Sequence, residues 1–240
     1  MLKKCDLILA VSHFTKNKLE SINKIPSSKI KVLNNCLDPF LQPLDPNNIL
    51  KLKTRYNLGN KKVLIAVTRY SILEKYKGYD HVIKVMPKLI EQFPNLVYLL
   101  IGKYDQDEKQ RIEDLATLHG VAAHIIFSGF INESELADHF GLGDVFVMPS
   151  EKEGFGIVFI ESLFYGIPVV AGNIDGTVDA LLNGKLGKLV EPNNKELLLN
   201  AISNSLVESA KNKINKALLM EHFSFDTYSL NIKRIIFSKN

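Results

Sequence analysis

VFVMPSEKEGFGIVFIESLFYGIPVVA, residues 145–171, is the stretch of this sequence that decides the fold. An apolar run ends in Pro-Ser, a Gly-Phe-Gly turn follows, and an apolar segment of helical length ends near Gly166, just before the run PVVA. Gly166 is a suitable left-handed cap for a helix, and an apolar run of this length between turn residues is typical of a buried strand. The stretch therefore predicts a strand, a loop, a helix and a second strand of a parallel sheet.

Two glutamates lie within this unit, Glu153 in the loop and Glu161 on the first turns of the helix. Gly154 and Gly156 permit a tight loop between them, so both carboxylates can face one cleft. The start of a helix attracts phosphate, and carboxylates accept hydrogen bonds from diols. A ligand with a diphosphate and sugar hydroxyls would suit such a site. Taken alone, the pair could also be ordinary acids favoured at a helix start by the helix dipole.

Residues 149–166 as a whole resemble the donor-site signature of the retaining glycosyltransferases of family 4, which have the two-domain GT-B architecture. In that family the signature follows a strand ending in Pro-Ser or Pro-Thr and precedes Gly-x-Pro-Val-Val-Ala, as it does here at 166–171. Roughly eighteen matching positions in a row are much more specific than two glutamates.

Composition fits a globular enzyme of a reducing compartment. The chain has 240 residues, 46% of them hydrophobic, so it can bury one sizeable core. Cys5 and Cys36 show neither metal-ligand spacing nor a disulfide framework. The apolar run near the N-terminus is too short for a membrane span and no cleavage site follows it, so we expect a cytoplasmic protein that could lie peripherally at the inner membrane face. The mild net charge of +4 does not indicate a nucleic-acid partner.

From Lys61 onward, short β-branched runs alternate with amphipathic stretches, which is typical of βαβ units. The fold class is therefore α/β, a doubly wound, parallel, six-stranded Rossmann-like sheet that binds ligands at the carboxyl ends of its strands. The predicted strands are 62–67, 96–102, 124–129, 145–149, 168–172 and 187–191. The predicted helices are 79–92, 107–118, 133–141, 156–165, 177–183, 194–207, 209–221 and 226–238.

The first forty residues do not fit that sheet. Residues 6–12 predict a strand, 13–22 a helix, and the Pro-rich stretch 42–48 a linker. The resemblance implies that residues 1–40 are a remnant of the N-terminal acceptor domain with the interdomain crossing. It makes 41–224 the donor-binding domain of a GT-B fold and 225–240 a C-terminal crossing helix, so about half of a full-length enzyme would be missing.

Two cations follow the first strand of the large sheet. Arg69 leaves the strand end and Lys77 precedes Gly78 at the next helix start, so both can lie over the carboxyl edge and neutralise a diphosphate. The equivalent Arg and Lys do this in the family, although Thr68 stands where Gly is usual there. Lys75, in an insertion found in part of the family, could replace Lys77, which we prefer for its neighbouring glycine. Alternatively, these are solvated loop charges.

The resemblance also implies the donor contacts. Residues after the second and third strands of the large sheet line the base pocket in the family, here Gly102, Phe130 and Ile131, although Phe130 could instead be a core residue. Glu161 would hold the ribose hydroxyls, while Glu153 and the loop backbone would bind the sugar and Gly154 would leave room for its ring. The implied catalytic residues are Arg69, Lys77 and Glu153, and the implied donor-binding residues of the loop and helix are Gly154, Phe155, Gly156, Ile157 and Glu161.

A short predicted helix opens at Asp175-Gly176-Thr177, and its N–H groups could contact phosphate or sugar. Asp175 could instead be a simple turn residue or helix cap. The family often has Gly-Gly-x-x-Glu here, and Asp179 stands at the acidic position of that pattern.

No residue spacing indicates a metal site, and the histidines have no partner that suggests catalysis, so each is interpreted as a surface or strand-edge residue. We therefore expect no metal and no cofactor, with the nucleoside diphosphate sugar as substrate. The histidines are His13, His81, His119, His124, His139 and His222.

The sequence is interpreted as the donor-binding half of a retaining glycosyltransferase of the hexosyltransferase type, acting in cell-surface polysaccharide or glycolipid synthesis and inactive as this chain alone. The expected partners are the nucleoside diphosphate sugar and an acceptor glycan or lipid-linked glycan held by the missing domain. The orphan strand and the last helix would expose apolar surface, which predicts self-association or a partner chain. Two alternatives stay open: a catalytically silent nucleotide-sugar binding module, and a GT-B relative such as a sugar-nucleotide epimerase.

Overall fold

Apolar, β-branched runs form the strands of two parallel sheets in the computed structural model, which describes residues 2–207 and 214–237. The small sheet consists of β1 (Ile8–Ala10) and β2 (Ile30–Val32). The strands of the large sheet are β3 (Lys62–Val67), β4 (Leu96–Ile101), β5 (Ile125–Gly129), β6 (Val145–Met148), β7 (Val169–Gly172) and β8 (Lys188–Val190). Their spatial order is β5-β4-β3-β6-β7-β8, with every pair parallel.

Helices connect these strands. In chain order they are α1 (His13–Ser21), α2 (Pro46–Arg55), α3 (Tyr79–Gln92), α4 (Gln106–Leu118), α5 (Glu133–Phe140), α6 (Ile157–Phe164), α7 (Thr177–Ala180), α8 (Lys195–Val207), α9 (Lys216–Phe223) and α10 (Phe225–Phe237). Within residues 2–207 and 214–237, no helix combines the length and the apolar character that crossing a membrane requires.

The predicted fold class is confirmed: the six predicted strands are present, and their ends differ from the prediction by no more than about one residue. Helices cover both faces of the sheet. Leu64 and Ala66 of β3 pack in the core beside α3, α4 and α8, whereas Val63 and Ile65 pack in the core beside α6 and α9. Near-continuous apolar strands such as β4, whose residues are all buried, are expected of a parallel sheet covered on both sides.

The predicted linker at 42–48 is wrong in its last three residues, because α2 begins at Pro46. The side chain of Asp45 accepts a hydrogen bond from the N–H of Asn47 at 2.8 Å, and Pro46 occupies the first helical position. An acidic cap followed by proline is a favourable helix start, since proline lacks only an N–H that the helix would leave unpaired. Asp138 of α5 anchors the same turn by accepting the N–H of Asp45 at 2.7 Å.

Two predicted helices have different ends. The helix predicted at 177–183 ends at Ala180, because Leu182 and Asn183 adopt left-handed backbone angles that a helix does not allow. The helix predicted at 209–221 is observed from Lys216, where the Asn215 side chain accepts the N–H of Leu218 at 3.0 Å. Residues 209–213 and 238 of the predicted helices lie outside the described residues.

The N-terminal segment has a small core of its own. Strands β1 and β2 pair directly and in parallel, and α1 connects them. The buried residues of this small core are Ile8, Ala10, Ile25 and Ile30. The chain then runs to the large sheet along the end of α9, where the N–H of Leu37 donates to the carbonyl oxygen of Phe223 at 2.8 Å. The assignment of residues 1–40, 41–224 and 225–240 to separate units stays a prediction.

Candidate functional site

The candidate site lies at the carboxyl edge of the large sheet. Strand order reverses between β3 and β6, and open α/β sheets bind ligands in the crevice at such a reversal. The predicted site residues reach this edge from three loops: Arg69 and Lys77 follow β3, Glu153 follows β6, and Asp175 follows β7.

The loop between β6 and α6 has the tight turn that the sequence predicts. Gly156 takes a φ of +83°, and a β-carbon at this position would lie 2.3 Å from the Phe159 ring, so only glycine fits. The backbone N–H groups of Phe155 and Gly156 donate no hydrogen bond to any described residue. The Phe155 side chain is buried against Phe223, so its backbone alone is available to a ligand.

Gly154 lies in a more open environment than Gly156. A β-carbon on Gly154 would meet Thr15 and Val11 only at 3.9 Å, an ordinary contact distance. The protein therefore leaves space beside this residue, in keeping with the prediction that Gly154 makes room for a sugar ring. That role stays a prediction.

Lys77 and Glu153 form an ion pair between Nζ and Oε2. Their side chains are 13% and 16% exposed, so the pair is largely shielded from water. Lys77 Nζ also lies 5.3 Å from the ring centre of Tyr76, over its face. The structure thus brings together two of the predicted catalytic residues. They contact each other, whereas the sequence analysis assigned each of them to the ligand.

The charge of Lys75 acts on a carboxylate outside this ion pair. Burial opposes the ionisation of Glu108 on α4, but hydrogen bonds from Arg111 and Tyr79, and the charges of Arg111 and Lys75, lower its pKa overall. The positive charge of Lys75 therefore acts on Glu108, whereas Lys77 contacts Glu153. This geometry favours Lys77 as the lysine of the candidate site.

Arg69 extends away from this ion pair. Its Nη2 lies 3.3 Å from Oδ1 of Asp105, just before α4, and its side chain is 60% exposed. An exposed pair of this kind contributes little stability, so Arg69 is free to exchange Asp105 for a phosphate. Its role stays a prediction.

Asp175 is buried and organises the loop around Glu153. It is 2% exposed and accepts hydrogen bonds from Ser150 Oγ at 2.8 Å, from the N–H of Glu153 at 2.7 Å and from the N–H of Thr177 at 2.9 Å. Burial raises its pKa, although these hydrogen bonds favour the carboxylate. This geometry matches the alternative that Asp175 is a turn residue, here one that also holds the loop between β6 and α6.

Gly176 also holds the loop that carries Glu153. Its N–H donates to the carbonyl oxygen of Glu153 at 2.9 Å, and a β-carbon on Gly176 would lie 2.0 Å from the carbonyl oxygen of Gly154. Thr177 is fully buried. The predicted contacts of these residues with phosphate or sugar are untested, and the structure gives Gly176 a packing role as well.

Glu161 lines a cavity of about 410 Å³ between α5, α6 and residues 38–42. Burial, and to a smaller extent the charge of Asp38, raises the pKa of Glu161 to about 7. Glu133 at the start of α5 adds a further carboxylate to the wall, while Phe140 and Tyr165 make it partly apolar. A volume of this size suits a small-molecule group such as a nucleoside.

The sequence pattern predicts that Glu153 and Glu161 face one cleft. The cavity wall includes Glu161 but not Glu153, which instead pairs with Lys77. Asp38 and Glu133 are neighbours of Glu161 that the spacing of the sequence does not predict. An acid in the first turn of a helix, as Glu133 is, was the only local signal for either residue.

The residues predicted for the base pocket do not line this cavity. Gly102 packs its backbone against β3, where a β-carbon would lie 2.0 Å from the carbonyl oxygen of Thr68. Phe130 is 74% exposed, so the alternative that it is a core residue is wrong. Ile131 packs at the margin of the core, and Ile157 is exposed at the first position of α6.

The interpretation of every histidine as a surface or strand-edge residue is wrong for His139. This residue is fully buried between α2 and α5, where Nε2 lies 3.0 Å from the Tyr56 hydroxyl and Nδ1 lies 2.7 Å from the carbonyl oxygen of Glu135. Burial lowers its pKa. His139 therefore helps to hold α2 in place and takes no part in the site.

The described residues contain no group of three or more His, Cys, Asp or Glu side chains that could hold a metal ion. The expectation that the chemistry needs neither metal nor cofactor stays a prediction.

Comparison with known proteins identifies relatives across most of the chain. The family described as glycosyl transferases group 1 matches residues 51–218. The chain is 30% identical over 212 residues to the GDP-mannose-dependent alpha-(1-6)-phosphatidylinositol monomannoside mannosyltransferase of Mycolicibacterium smegmatis, a match covering 85% of this chain and 53% of that relative. An uncharacterized glycosyltransferase of Methanocaldococcus jannaschii is 30% identical over 192 residues, which are 79% of this chain and 48% of that protein. The chain thus spans about half the length of the curated relatives it matches.

Solved structures show the same fold. HepE of Anabaena, crystallised with UDP and glucose, superposes with a TM-score of 0.85 at 23% identity, covering 98% of this chain and 64% of HepE. Sucrose-phosphate synthase of Thermosynechococcus elongatus superposes with a TM-score of 0.82 at 22% identity, covering 99% of this chain and 59% of the synthase. At these identities the likeness establishes the fold alone, and it confirms the predicted GT-B type of sheet.

Proposed function

This chain belongs to the glycosyl transferases group 1 family, and from this membership we propose that it is the donor-binding half of a retaining glycosyltransferase. Its substrate would be a nucleoside diphosphate sugar, and the sugar would pass to a hydroxyl acceptor. The observation that carries the proposal is the shielded Lys77–Glu153 pair beside the unpaired N–H groups of Phe155 and Gly156, at the reversal of strand order. Cation, free N–H groups and carboxylate together suit a diphosphate joined to a sugar.

The mechanism that we propose is departure of the diphosphate from the same face on which the acceptor attacks. Lys77, Arg69 and the N–H groups at the start of α6 would stabilise the charge that develops on the leaving diphosphate. Glu153, released from Lys77 by the phosphates, would accept hydrogen bonds from the sugar hydroxyls. Glu161 would hold the ribose, so that sugar and diphosphate are fixed relative to each other.

The acidic wall of the Glu161 cavity supports guanine as the donor base. Glu133 and Asp38 line the cavity with Glu161 and offer acceptor oxygens. Guanine presents an N–H and an amino group on its pairing edge, whereas uracil presents an N–H between two carbonyl oxygens that carboxylates would repel. The name of the Mycolicibacterium relative, which specifies GDP-mannose, agrees with this choice.

We expect calorimetric titration of the chain to show GDP and GDP-mannose binding more tightly than UDP and UDP-glucose. Dissociation constants should lie at about 10 μM to 1 mM, because one wall of a two-domain cleft supplies most nucleotide contacts without closure. Glu133→Gln should reduce the preference for GDP. Glu135→Gln is the matched control, since Glu135 lies on the same helix but pairs with Arg55 at 3.2 Å. No binding of any of these ligands at millimolar concentration would contradict the proposal.

The acceptor and the partners are further parts of the proposal. A glycan or lipid-linked glycan would be held by a second domain, in cell-surface polysaccharide or glycolipid synthesis at the inner membrane face. Phe225, Leu230, Ile236 and Phe237 of α10 are exposed, so this helix offers apolar surface to that domain or to another chain. Light scattering at high protein concentration tests the self-association that this surface predicts, and sugar transfer by this chain alone would contradict the need for a second domain.

A further inference from the structure

Helix α1 of the N-terminal segment contacts the loop that carries Glu153. Ser12 caps α1 by accepting the N–H of Thr15 at 3.0 Å, and Thr15 Oγ1 then donates to the carbonyl oxygen of Gly154 at 3.3 Å. The side chain of Val11 approaches the same glycine. Helix α1, which is far from residues 149–166 in sequence, therefore contacts Gly154 in the middle of that stretch.

The same helix also holds α7. The backbone N–H of His13 lies 3.2 Å from Oδ2 of Asp179, and His13 Nδ1 lies 2.6 Å from Oδ1 of the same carboxylate. Asp179 is mostly buried, although His13 is largely exposed. This pairing gives His13 a specific partner, which the sequence analysis did not expect.

The loop is thereby fixed from both sides. On one side Asp175 accepts the N–H of Glu153, and the N–H of Gly176 binds the carbonyl oxygen of Glu153. On the other side Thr15 binds the carbonyl oxygen of Gly154, the next residue. His13 also bonds to Asp179 of α7, the helix that follows Asp175 and Gly176. Helix α1 therefore contacts the loop directly through Thr15 and, on its other side, the helix beside the residues that hold it.

We propose that His13 and Thr15 are positioning residues for the donor sugar: α1 fixes the Glu153–Gly154 loop and so sets the affinity for the sugar of the donor more than the affinity for its nucleotide. This inference rests on the proposed function, in which Glu153 and Gly154 face the sugar. The nucleotide depends mainly on Lys77, the start of α6 and the Glu161 cavity, and within the described part of the chain none of these is hydrogen-bonded to α1. The position of the N-terminal segment would thus affect the conformation of the Glu153–Gly154 loop.

The test compares a sugar nucleotide with the matching nucleoside diphosphate on the full chain. Calorimetry with GDP-mannose and GDP, and with UDP-glucose and UDP, is carried out on wild type, Thr15→Val and His13→Ala. We expect Thr15→Val, which loses a partly shielded hydrogen bond, to bind the sugar nucleotide about three- to tenfold more weakly. His13→Ala loses a more exposed hydrogen bond and should weaken the same binding about two- to threefold. In each variant the affinity for the diphosphate should fall by a smaller factor. Thr15→Ser keeps the hydroxyl and should restore wild-type binding.

Thr117→Val is the matched control, because it removes a threonine hydroxyl whose one hydrogen bond to the described residues lies within α4, to the carbonyl oxygen of Glu113 at 2.8 Å. Unchanged binding of the sugar nucleotides in both variants would overturn the inference, and so would equal loss for sugar nucleotide and diphosphate, since that indicates general damage to the fold. A wild-type chain that binds none of the four ligands would overturn the proposed function and the inference with it. Binding by wild type without a change in the variants overturns the inference alone.

Discussion

Replacing Lys77 with alanine should weaken the binding of GDP to this chain by about 2 to 4 kcal/mol, a loss within the range found when one partner of a buried, hydrogen-bonded charge pair is truncated. Two effects act in the same direction. The phosphates lose their nearest cation, and Glu153, which is 16% exposed, is left unneutralised beside them. Binding of guanosine, which has no phosphate, should change little. Calorimetry with GDP and guanosine measures both.

Lys75→Ala is the control for this prediction, because it removes a cation from the same short turn that acts on Glu108, whereas Lys77 forms the ion pair with Glu153. We expect a change below about 0.5 kcal/mol, as for other exposed charges. Adding Glu153→Gln to Lys77→Ala should recover part of the lost affinity for GDP. If Lys75→Ala has the larger effect, the assignment of Lys77 to the diphosphate is wrong.

The affinity for GDP-mannose should rise about tenfold between pH 6 and pH 8 and level off above. Burial, and secondarily the charge of Asp38, raises the pKa of Glu161 to about 7, so the carboxyl group is mostly protonated at pH 6 in the empty site. Ribose hydroxyls donate to the ionised form, so binding releases a proton, and a group with this pKa accounts for a factor of about ten. GDP-mannose is used because its diphosphate carries no proton that titrates in this range.

The same ionisation should affect the empty protein in the opposite direction. The folded pKa of Glu161 lies above its ordinary value of 4.5, so the folded state binds more protons and loses stability as pH rises from about 4.5 to about 7. Glu161→Gln should abolish this loss and raise the free energy of unfolding at pH 8 by about 1 to 3 kcal/mol, while removing the pH dependence of binding. Glu161→Ala should cost about 1.5 to 3 kcal/mol of GDP affinity at pH 8.

Urea unfolding of the empty chain and calorimetry with GDP-mannose, each at pH 6 and pH 8, measure these two effects. Glu135→Gln serves again as the control on α5. A binding curve that stays flat with pH in wild type, or that keeps its slope in Glu161→Gln, would contradict the assignment of Glu161 to the ribose.

The sequence predicted the large sheet well because each strand of a buried parallel sheet is an apolar run of limited length between turn residues. The stretch around β6, α6 and β7 also has glycines where the backbone requires them, as Gly156 shows. The start of α2 was missed although Asp45-Pro46 is a favourable helix start. An Asp-Pro pair also occurs in turns, and the surrounding proline and asparagine favoured that interpretation.

Contacts between distant parts of the chain could not be predicted from spacing. The sequence predicts that Lys77 and Glu153 each bind a ligand, whereas the structure pairs them with each other. The burial that shifts the pKa of Glu161 depends on residues 38–42 and on α5, which approach it only in the folded chain. Asp175 likewise owes its role to three donors that the fold brings around it.

The central claim, that a donor diphosphate binds at the start of α6, is tested most directly by titrating the ¹⁵N-labelled chain with GDP-mannose and following the backbone amide resonances. The largest shifts should occur at Phe155, Gly156 and Ile157, whose N–H groups open α6, with further shifts at Gly78 beside Lys77. Saturable binding that leaves these resonances unmoved, with shifts confined to the cavity lined by Val32, Asn34 and α10, would contradict the account.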